Sequence, residues 1–397
     1  MTSEIRGARP EDAEGVLEIL CLAFGLDTEA ARPIFYGDPY YALSHKRLLS
    51  VPGSGLVSCL TVVPTLLRIG GVPVPTAGVA GVATRPAFQC RGHAAALLAA
   101  TIPALSSELG FPLALLHPVS APFYHRFGWE YTSRFVRWLA APSSLPSSPE
   151  AGCVRPAQPS DWPAIARLHD AETRTGTGSF ARDLRRWQLI RLPVPDRETF
   201  VYERRGEVTG YGVFERSDVL HLLEMIGLTA DARSGLLSFL ARQPDALLEW
   251  QTSPALLDQF GLSWAGLSLG PGIMLRIVNL EAALTALHPA LYAPVLTKLA
   301  ATLTIQATDD LCPANTCPLR LTSDGIYPVR DSSERDSSER DSSGPWLRAD
   351  IRTLAQLYLG DLLPSEAPIS VDSPQTLRLA DRLFPKRDPY VAPLDQF

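Results

Sequence analysis

The sequence predicts an α/β protein of three consecutive units, each a mixed β-sheet with helices packed on it, the first two related by duplication. Three observations lead there. A strand–turn–helix opening occurs twice, as "IRGARPEDAEGVLEIL" (Ile5–Leu20) and "VRPAQPSDWPAIARLH" (Val154–His169), with Pro10 matching Pro159 and Asp12 matching Asp161. Short apolar runs alternate with amphipathic stretches, the pattern of sheets covered by helices. A chain of 397 residues also exceeds what one hydrophobic core holds.

In each opening the Asp follows a Pro by two positions and suits the first turn of a helix by capping and dipole logic. "LVSCLTVVPTLLRIGGVPVPTAGVAGVAT" (Leu56–Thr84) then supplies consecutive strands with Gly/Pro turns. A helix rich in Ala and Leu follows from His93. "FPLALLHP" (Phe111–Pro118) is continuous and apolar, as a buried central strand should be. The Pro/Ser-rich "APSSLPSSPEAG" (Ala141–Gly152) has no apolar period and reads as a linker. Domains are therefore expected at 1–145, 150–287 and 288–397.

The second unit repeats a strand–loop–helix in "LHLLEMIGLTADARSGLLSFLARQ" (Leu220–Gln243), with a shorter loop, and so reads as a degenerate copy. The third is marked by "LTIQATDD", "LRLTSDGIYPVR" and "PWLRADIRTLAQLYLG", strands followed by a helix. Between them the tandem repeat "DSSERDSSERDSSG" (Asp331–Gly344) cannot bury a core and is expected as a solvated hairpin tip.

A net charge of −6 argues against nucleic acid as a partner and would suit a cationic substrate. The six cysteines are scattered. Only Cys312 and Cys317 lie close, with no second pair or histidine beside them, so no metal is expected and the thiols read as reduced. The polar start "MTSEIRGARPEDAEG" has no leader pattern, and no run of 18 apolar residues occurs, so a cytoplasmic protein without membrane contact is expected.

The chemistry concentrates in "GVATRPAFQCRGHAAALLAA" (Gly81–Ala100), where a strand hands over to a helix through Gln89, Arg91, Gly92 and His93. A helix start leaves backbone N–H groups without partners and carries a partial positive charge, which together make an anion site. Gly92 permits a turn and a close approach, Ala94 keeps the next contact small, and Arg91 can add a charged hydrogen bond. By itself Gln-x-x-Gly-x-Ala is compatible with a chance loop. The dinucleotide fingerprint Gly-x-Gly-x-x-Gly and the P-loop Gly-Lys-Ser/Thr are both absent from the sequence.

A strand running into such a loop resembles motif A of the GNAT superfamily of N-acetyltransferases. The following "LALLHPVSAPFYHRFGWEY", with its Tyr-x-Arg-Phe-Gly turn from Tyr124 to Gly128, is similar to the enhanced-intracellular-survival (Eis) branch. "GIMLRIVNLEAALTAL" and "DIRTLAQLYLG" resemble that family's joining strand and third-domain helix. The resemblance implies tandem GNAT folds followed by a sterol-carrier-protein-like α+β domain, assembled as a homo-oligomer, a hexamer. It implies acetyl-CoA as co-substrate, with Val82, Ala83 and Thr84 on pantetheine, Cys90, Arg91, Gly92, His93, Ala94 and Ala95 on the pyrophosphate, and Val119 and Ser120 also on the cofactor. It further implies Tyr124 as general acid and the α-carboxylate of Phe397 as base.

Tyr124 also reads as a core tyrosine among Phe123, Phe127 and Trp129, and His117, at the same strand end, as structural or as a base. A phenol with a pKa of about 10 is protonated at neutral pH and suits a leaving thiolate. Acceptor-site candidates are Phe24, Asp27 and Tyr36, with Phe35 and Tyr40, residues that ordinary packing explains equally well. The expected activity is direct acetyl transfer to a primary amine, aminoglycoside-like or a lysine side chain. The alternative is a non-catalytic acyl-CoA or lipid-binding protein using the third unit.

Overall fold

A computed structural model of the chain describes residues 3–264, 267–329 and 344–397. The tandem Ser-rich repeat, apart from Gly344, lies outside them. The described residues form two compact units, one from Met1–Thr132, Ile273–Arg387 and Phe397, the other from Ser133–Gly272 and Asp388–Gln396.

The first unit opens with strand β1 (Glu4–Gly7) and helix α1 (Ala13–Phe24). Arg6 Nη1 donates to Asp12 Oδ2 at 2.6 Å, and the same oxygen accepts the Arg9 N–H at 2.7 Å, which fixes the turn into α1. The hydrogen bond from Arg6 is the main reason the Asp12 carboxyl lies below its ordinary pKa. Next come α2 (Thr28–Gly37), β2 (Lys46–Val51), β3 (Gly55–Ile69) and β4 (Val72–Thr84). The β3–β4 hairpin turns on Gly70 and Gly71, whose φ of 54° and 83° are those of a type I′ turn. Then follow α3 (His93–Ser107), β5 (Leu113–Leu116), α4 (Ala121–His125) and β6 (Glu130–Tyr131).

Strand β4 organises this domain. Between the pairs Cys59↔Ala83 and Thr61↔Ala80 it carries one residue more than β3, a bulge at Gly81 (φ 56°). On its other edge it pairs in parallel with β5 only from Thr76↔Leu113 to Gly78↔Leu115, then runs on to Thr84. The sheet therefore forks beyond Gly78. One face packs Leu60, Val62, Ala77, Val79, Leu97, Leu116 and Tyr124 together. On the opposite face Val16, Ile19, Leu48, Cys59 and Ala83 form a second cluster.

The second unit repeats the scheme. It comprises β7 (Arg134–Ala140), β8 (Val154–Pro156), α5 (Trp162–Thr173), α6 (Leu184–Ile190), β9 (Arg197–Arg204) and β10 (Glu207–Arg216). It continues with β11 (Leu220–Gly227), α7 (Ala230–Leu240), β12 (Leu248–Thr252), α8 (Pro254–Gln259) and β13 (Ser268–Pro271). The strand order is β13-β7-β12-β11-β10-β9-β8. Here Arg155 and Asp161 rebuild the opening turn, Nη1 to Oδ2 at 2.7 Å, with the Gln158 N–H on the same carboxylate at 2.7 Å. β11 pairs in parallel with β12 only over Leu220–Leu222. The tail Asp388–Gln396 belongs to this unit. Its Asp395 accepts from Arg182 Nε at 2.8 Å, Arg182 also holds Glu224, and the Tyr390 hydroxyl donates to the Gln251 carbonyl at 2.8 Å.

The first unit resumes with β14 (Met274–Ile277), which joins β5 and β6 to give the order β1-β2-β3-β4-β5-β14-β6. Thus β7, in the sequence expected for the first domain, pairs with β12, while β14, in the sequence expected for the second, pairs with β5. Helices α9 (Leu280–Leu287) and α10 (Ala293–Leu299) lead to β15 (Leu303–Thr308), β16 (Leu319–Leu321), β17 (Ile326–Pro328) and β18 (Trp346–Asp350). Helix α11 (Ile351–Leu359), β19 (Ser370–Val371) and α12 (Pro374–Leu383) complete a sheet of order β17-β16-β15-β18-β19. Asp350 starts α11 by accepting the N–H groups of Arg352 and Thr353. No described helix is long and apolar enough to cross a membrane.

Candidate active site

The expected cofactor residues gather at the fork of the first sheet. Arg85 N–H donates to the Val57 carbonyl, so residue 85, and by alternation Ala83, turns its backbone groups toward β3. Those of Val82 and Thr84 then face the side from which β5 has withdrawn. Ser58 stiffens this end of the strand: its hydroxyl donates to the Ala83 carbonyl at 2.7 Å and lies 2.9 Å from the Thr84 hydroxyl. Arg85 adds a two-pronged ion pair with Glu18 on α1 (2.9 and 2.7 Å).

The loop that follows doubles back through two left-handed residues, Cys90 (φ 60°) and Gly92 (φ 82°). Gln89, the first residue of the motif, braces the loop by donating to the Thr84 carbonyl at 3.3 Å. The first bond of α3 runs from the Ala96 N–H to the Gly92 carbonyl, which leaves the N–H groups of His93, Ala94 and Ala95 at the helix mouth. Gly92 caps α3 without a side chain, no acidic residue stands in the first turn, and a Cβ on Gly92 would meet nothing within 4 Å. Exposed Arg91 stacks its guanidinium 5.3 Å from the Phe88 ring centre. These residues fit a diphosphate: an open cradle of backbone donors with one cation at its rim.

Beyond β5, Val119 is 96% exposed, an unusual state for a valine, and Ser120 precedes α4. Tyr124 on α4 is buried against Phe123 and Trp129, ring centres 5.0 and 6.1 Å away, in the same cluster as Val79. Burial pushes its phenol pKa up, so it holds its proton. The core and acid readings of Tyr124 are compatible, since the ring belongs to the core of the fork. Phe397, the last residue, sets its ring against Gly78 and edge-on to His117, ring centres 6.0 Å apart.

The acceptor candidates are less uniform. Asp27 caps α2 by accepting the Ala30 N–H at 2.8 Å, a structural task. The Tyr36 hydroxyl donates to Glu14 at 2.6 Å, and that carboxylate, which Arg32 also grips, pushes the phenol up to about 12. Phe24 is exposed, Tyr40 is buried, and Phe35 packs against the cluster that holds Ala83. Sequence reasoning passed over Lys46, buried with its ammonium 4.8 Å above the Phe35 ring and 3.2 Å from the Thr61 hydroxyl. Desolvation lowers its pKa. It passed over Gly78 too.

In the second unit His169, Glu224 and Asp395 bring ligand-type atoms within 4.8 Å of one another. A metal ion there would face the guanidiniums of Arg182 and Arg186, which already hold Asp395. Against the penalty of burial, those two cations keep the Asp395 carboxyl below its ordinary pKa.

The first two domains make the chain an acetyltransferase. Residues 4–132 match a family described as acetyltransferase (GNAT) domain, residues 178–277 a second family so described, and residues 280–392 the sterol carrier protein domain. The chain thus carries two GNAT domains and a C-terminal domain like sterol carrier protein, on mixed sheets, as the sequence led one to expect. No curated protein matches the sequence significantly. Among solved structures, a GCN5-related N-acetyltransferase from Anabaena variabilis is 21% identical with a TM-score of 0.80, and all of both chains is covered. A GCN5-related N-acetyltransferase from Kribbella flavida is 20% identical at 0.78, again over all of both chains. Eis1 from Mycobacterium abscessus is 20% identical at 0.73, covering 99% of this chain and 100% of that one. At such identities the likeness is one of fold.

Proposed function

We propose that the first GNAT domain transfers acetyl from acetyl-CoA directly to a primary amine, with Tyr124 as general acid and the α-carboxylate of Phe397 as base. The observation that carries this reading is the seat of the last residue. Phe397 packs at Gly78, the last β4–β5 pair before the fork whose rim carries the open helix mouth of α3. An otherwise ordinary chain end is thereby held at the one place where the sheet opens.

Acetyl-CoA supplies an activated acyl group as a thioester. The α3 mouth with Arg91 would bind its diphosphate, and the outward backbone of Val82 and Thr84 its pantetheine arm. An alkylammonium has a pKa of about 10.4, so freeing its lone pair at pH 7 costs roughly 5 kcal/mol. The Phe397 carboxylate accepts that proton, the amine nitrogen forms the new bond to the acyl carbon, and the carbon–sulfur bond breaks. Tyr124 gives its proton to the departing sulfur, and the new amide nitrogen sheds its second proton, which restores the phenol. Acceptors of the aminoglycoside or lysine type, and assembly as a hexamer, are proposed from the Eis-like fold. Exposed Phe24 and the Phe35–Tyr36 pair are the proposed acceptor wall.

The test is thiol release from acetyl-CoA with a panel of polyamines, aminoglycosides and lysine peptides, using full-length chain and chain lacking Phe397. Amine-dependent release that disappears with Phe397, while acetyl-CoA still binds, is expected. Absence of release with every amine would favour the non-catalytic acyl-CoA or lipid binder, and undiminished release without Phe397 would remove the carboxylate from the mechanism.

A further inference from the structure

The Phe397 ring needs a space that an ordinary β-strand does not offer, and Gly78 provides it. The φ of Gly78 is not in the left-handed region, so its backbone would accept any residue. The reason for a glycine here must be room. Ala77 and Val79 point into the α3-side core, so alternation turns position 78 to the opposite face. There a Cβ would collide with Cζ of Phe397 and stand 2.6 Å from Cε2 and 3.0 Å from Cε1. These atoms are the tip of the ring. The side chain therefore meets the strand tip first, and its backbone end, with the α-carboxylate, stands a side chain's length off the sheet. His117 closes one flank with its ring at 81° to that of Phe397.

We infer that Gly78 is a positioning residue, a socket in β4 that sets the depth and direction of the C-terminal phenylalanine and hence the placement of its carboxylate. This rests on the reading of that carboxylate as base. The socket itself is a claim about packing and can be tested apart from it.

The experiment compares Gly78→Ala, Phe397→Ala and the double variant in the full chain. Turnover, acetyl-CoA affinity and the rate at which a carboxypeptidase frees the last residue are measured. Gly78→Ala is expected to lower kcat roughly ten- to a hundredfold, the size of an overpacking penalty, with acetyl-CoA affinity unchanged and phenylalanine released faster. In the Phe397→Ala background, where the tip is gone, Gly78→Ala should cost nothing more, because only residues in contact couple. Phe397→Trp lengthens the ring toward the same wall without touching the core, and should also lower kcat. Equal release rates with and without the Gly78 methyl, or equal losses in both backgrounds, would overturn the socket. A full-activity chain lacking Phe397 would overturn only the carboxylate reading, and the release rates would still decide the socket.

Discussion

The starts of α3 and α7 stand at the same place in two copies of one domain and are finished in opposite ways. Each follows a strand whose parallel neighbour departs early, β5 from β4 and β12 from β11. At α3 the cap is Gly92, with no side-chain bond and no acid in the first turn. At α7 the Thr229 hydroxyl accepts the Ala232 N–H at 3.1 Å, Asp231 stands in the first turn, and Arg233 folds back to donate to the Gly227 carbonyl at 2.8 Å. A helix end can satisfy its orphan donors from within or leave them for an anion. The second domain satisfies the Ala232 donor from within and sets the acid Asp231 beside the others. The first leaves its mouth open, as the proposed diphosphate site requires. The Arg–Asp turn that opens both domains is preserved in detail, at 2.6 and 2.7 Å, because it serves the fold and not the ligand.

The contrast breaks most sharply at the proposed acid. Tyr124→Phe should lower turnover about 10²- to 10⁴-fold, the usual range for a general acid, with acetyl-CoA affinity little changed. Steady-state kinetics read this directly, and wild-type turnover would leave Tyr124 as core alone.

A smaller effect is expected at the closed helix end. Thr229→Ala removes a cap and should cost about 1 kcal/mol in denaturant unfolding, without changing turnover. A change in turnover of the folded variant would mean that α7 takes part in catalysis.

The smallest effect concerns the shared turn. The hydrogen bond from Arg155 depresses the Asp161 carboxyl, as Arg6 depresses Asp12. A depressed carboxyl contributes stability that is fully present above its unfolded pKa of about 3.9 and is lost as pH falls through the lower folded value. Asp161→Asn should therefore destabilise at neutral pH by about 1 kcal/mol or less, since Arg155 is partly exposed. The deficit should begin to shrink as the pH falls through about 3.9 and vanish only below the depressed folded value. A deficit independent of pH would assign the effect to shape rather than charge.

What the sequence disclosed was what local chemistry encodes. The duplicated opening was legible because Pro, Asp and the following helix lie within a few residues, and the Gln89–Ala94 loop because a glycine between strand and helix has few purposes. Partners distant along the chain were not legible. Trp138 pairs with Trp250, and Leu116 with Met274, through ladders that leave no mark beyond ordinary apolar runs. Asp27, an acceptor candidate by sequence, also caps α2, the ordinary task of an Asp before a helix. Gly78 sits in "AGVAGVAT" with an unremarkable φ, and only the ring of the last residue explains it. A glycine inside a strand does signal a close approach, and that was the available clue.

Calorimetric titration of the full-length chain with acetyl-CoA tests most directly whether the open and closed helix ends differ as described. One site per chain is predicted, abolished by Gly92→Glu, which sets an anionic side chain in the cradle, and retained in Thr229→Ala. Two equivalent sites per chain, or one that survives Gly92→Glu, would contradict the account.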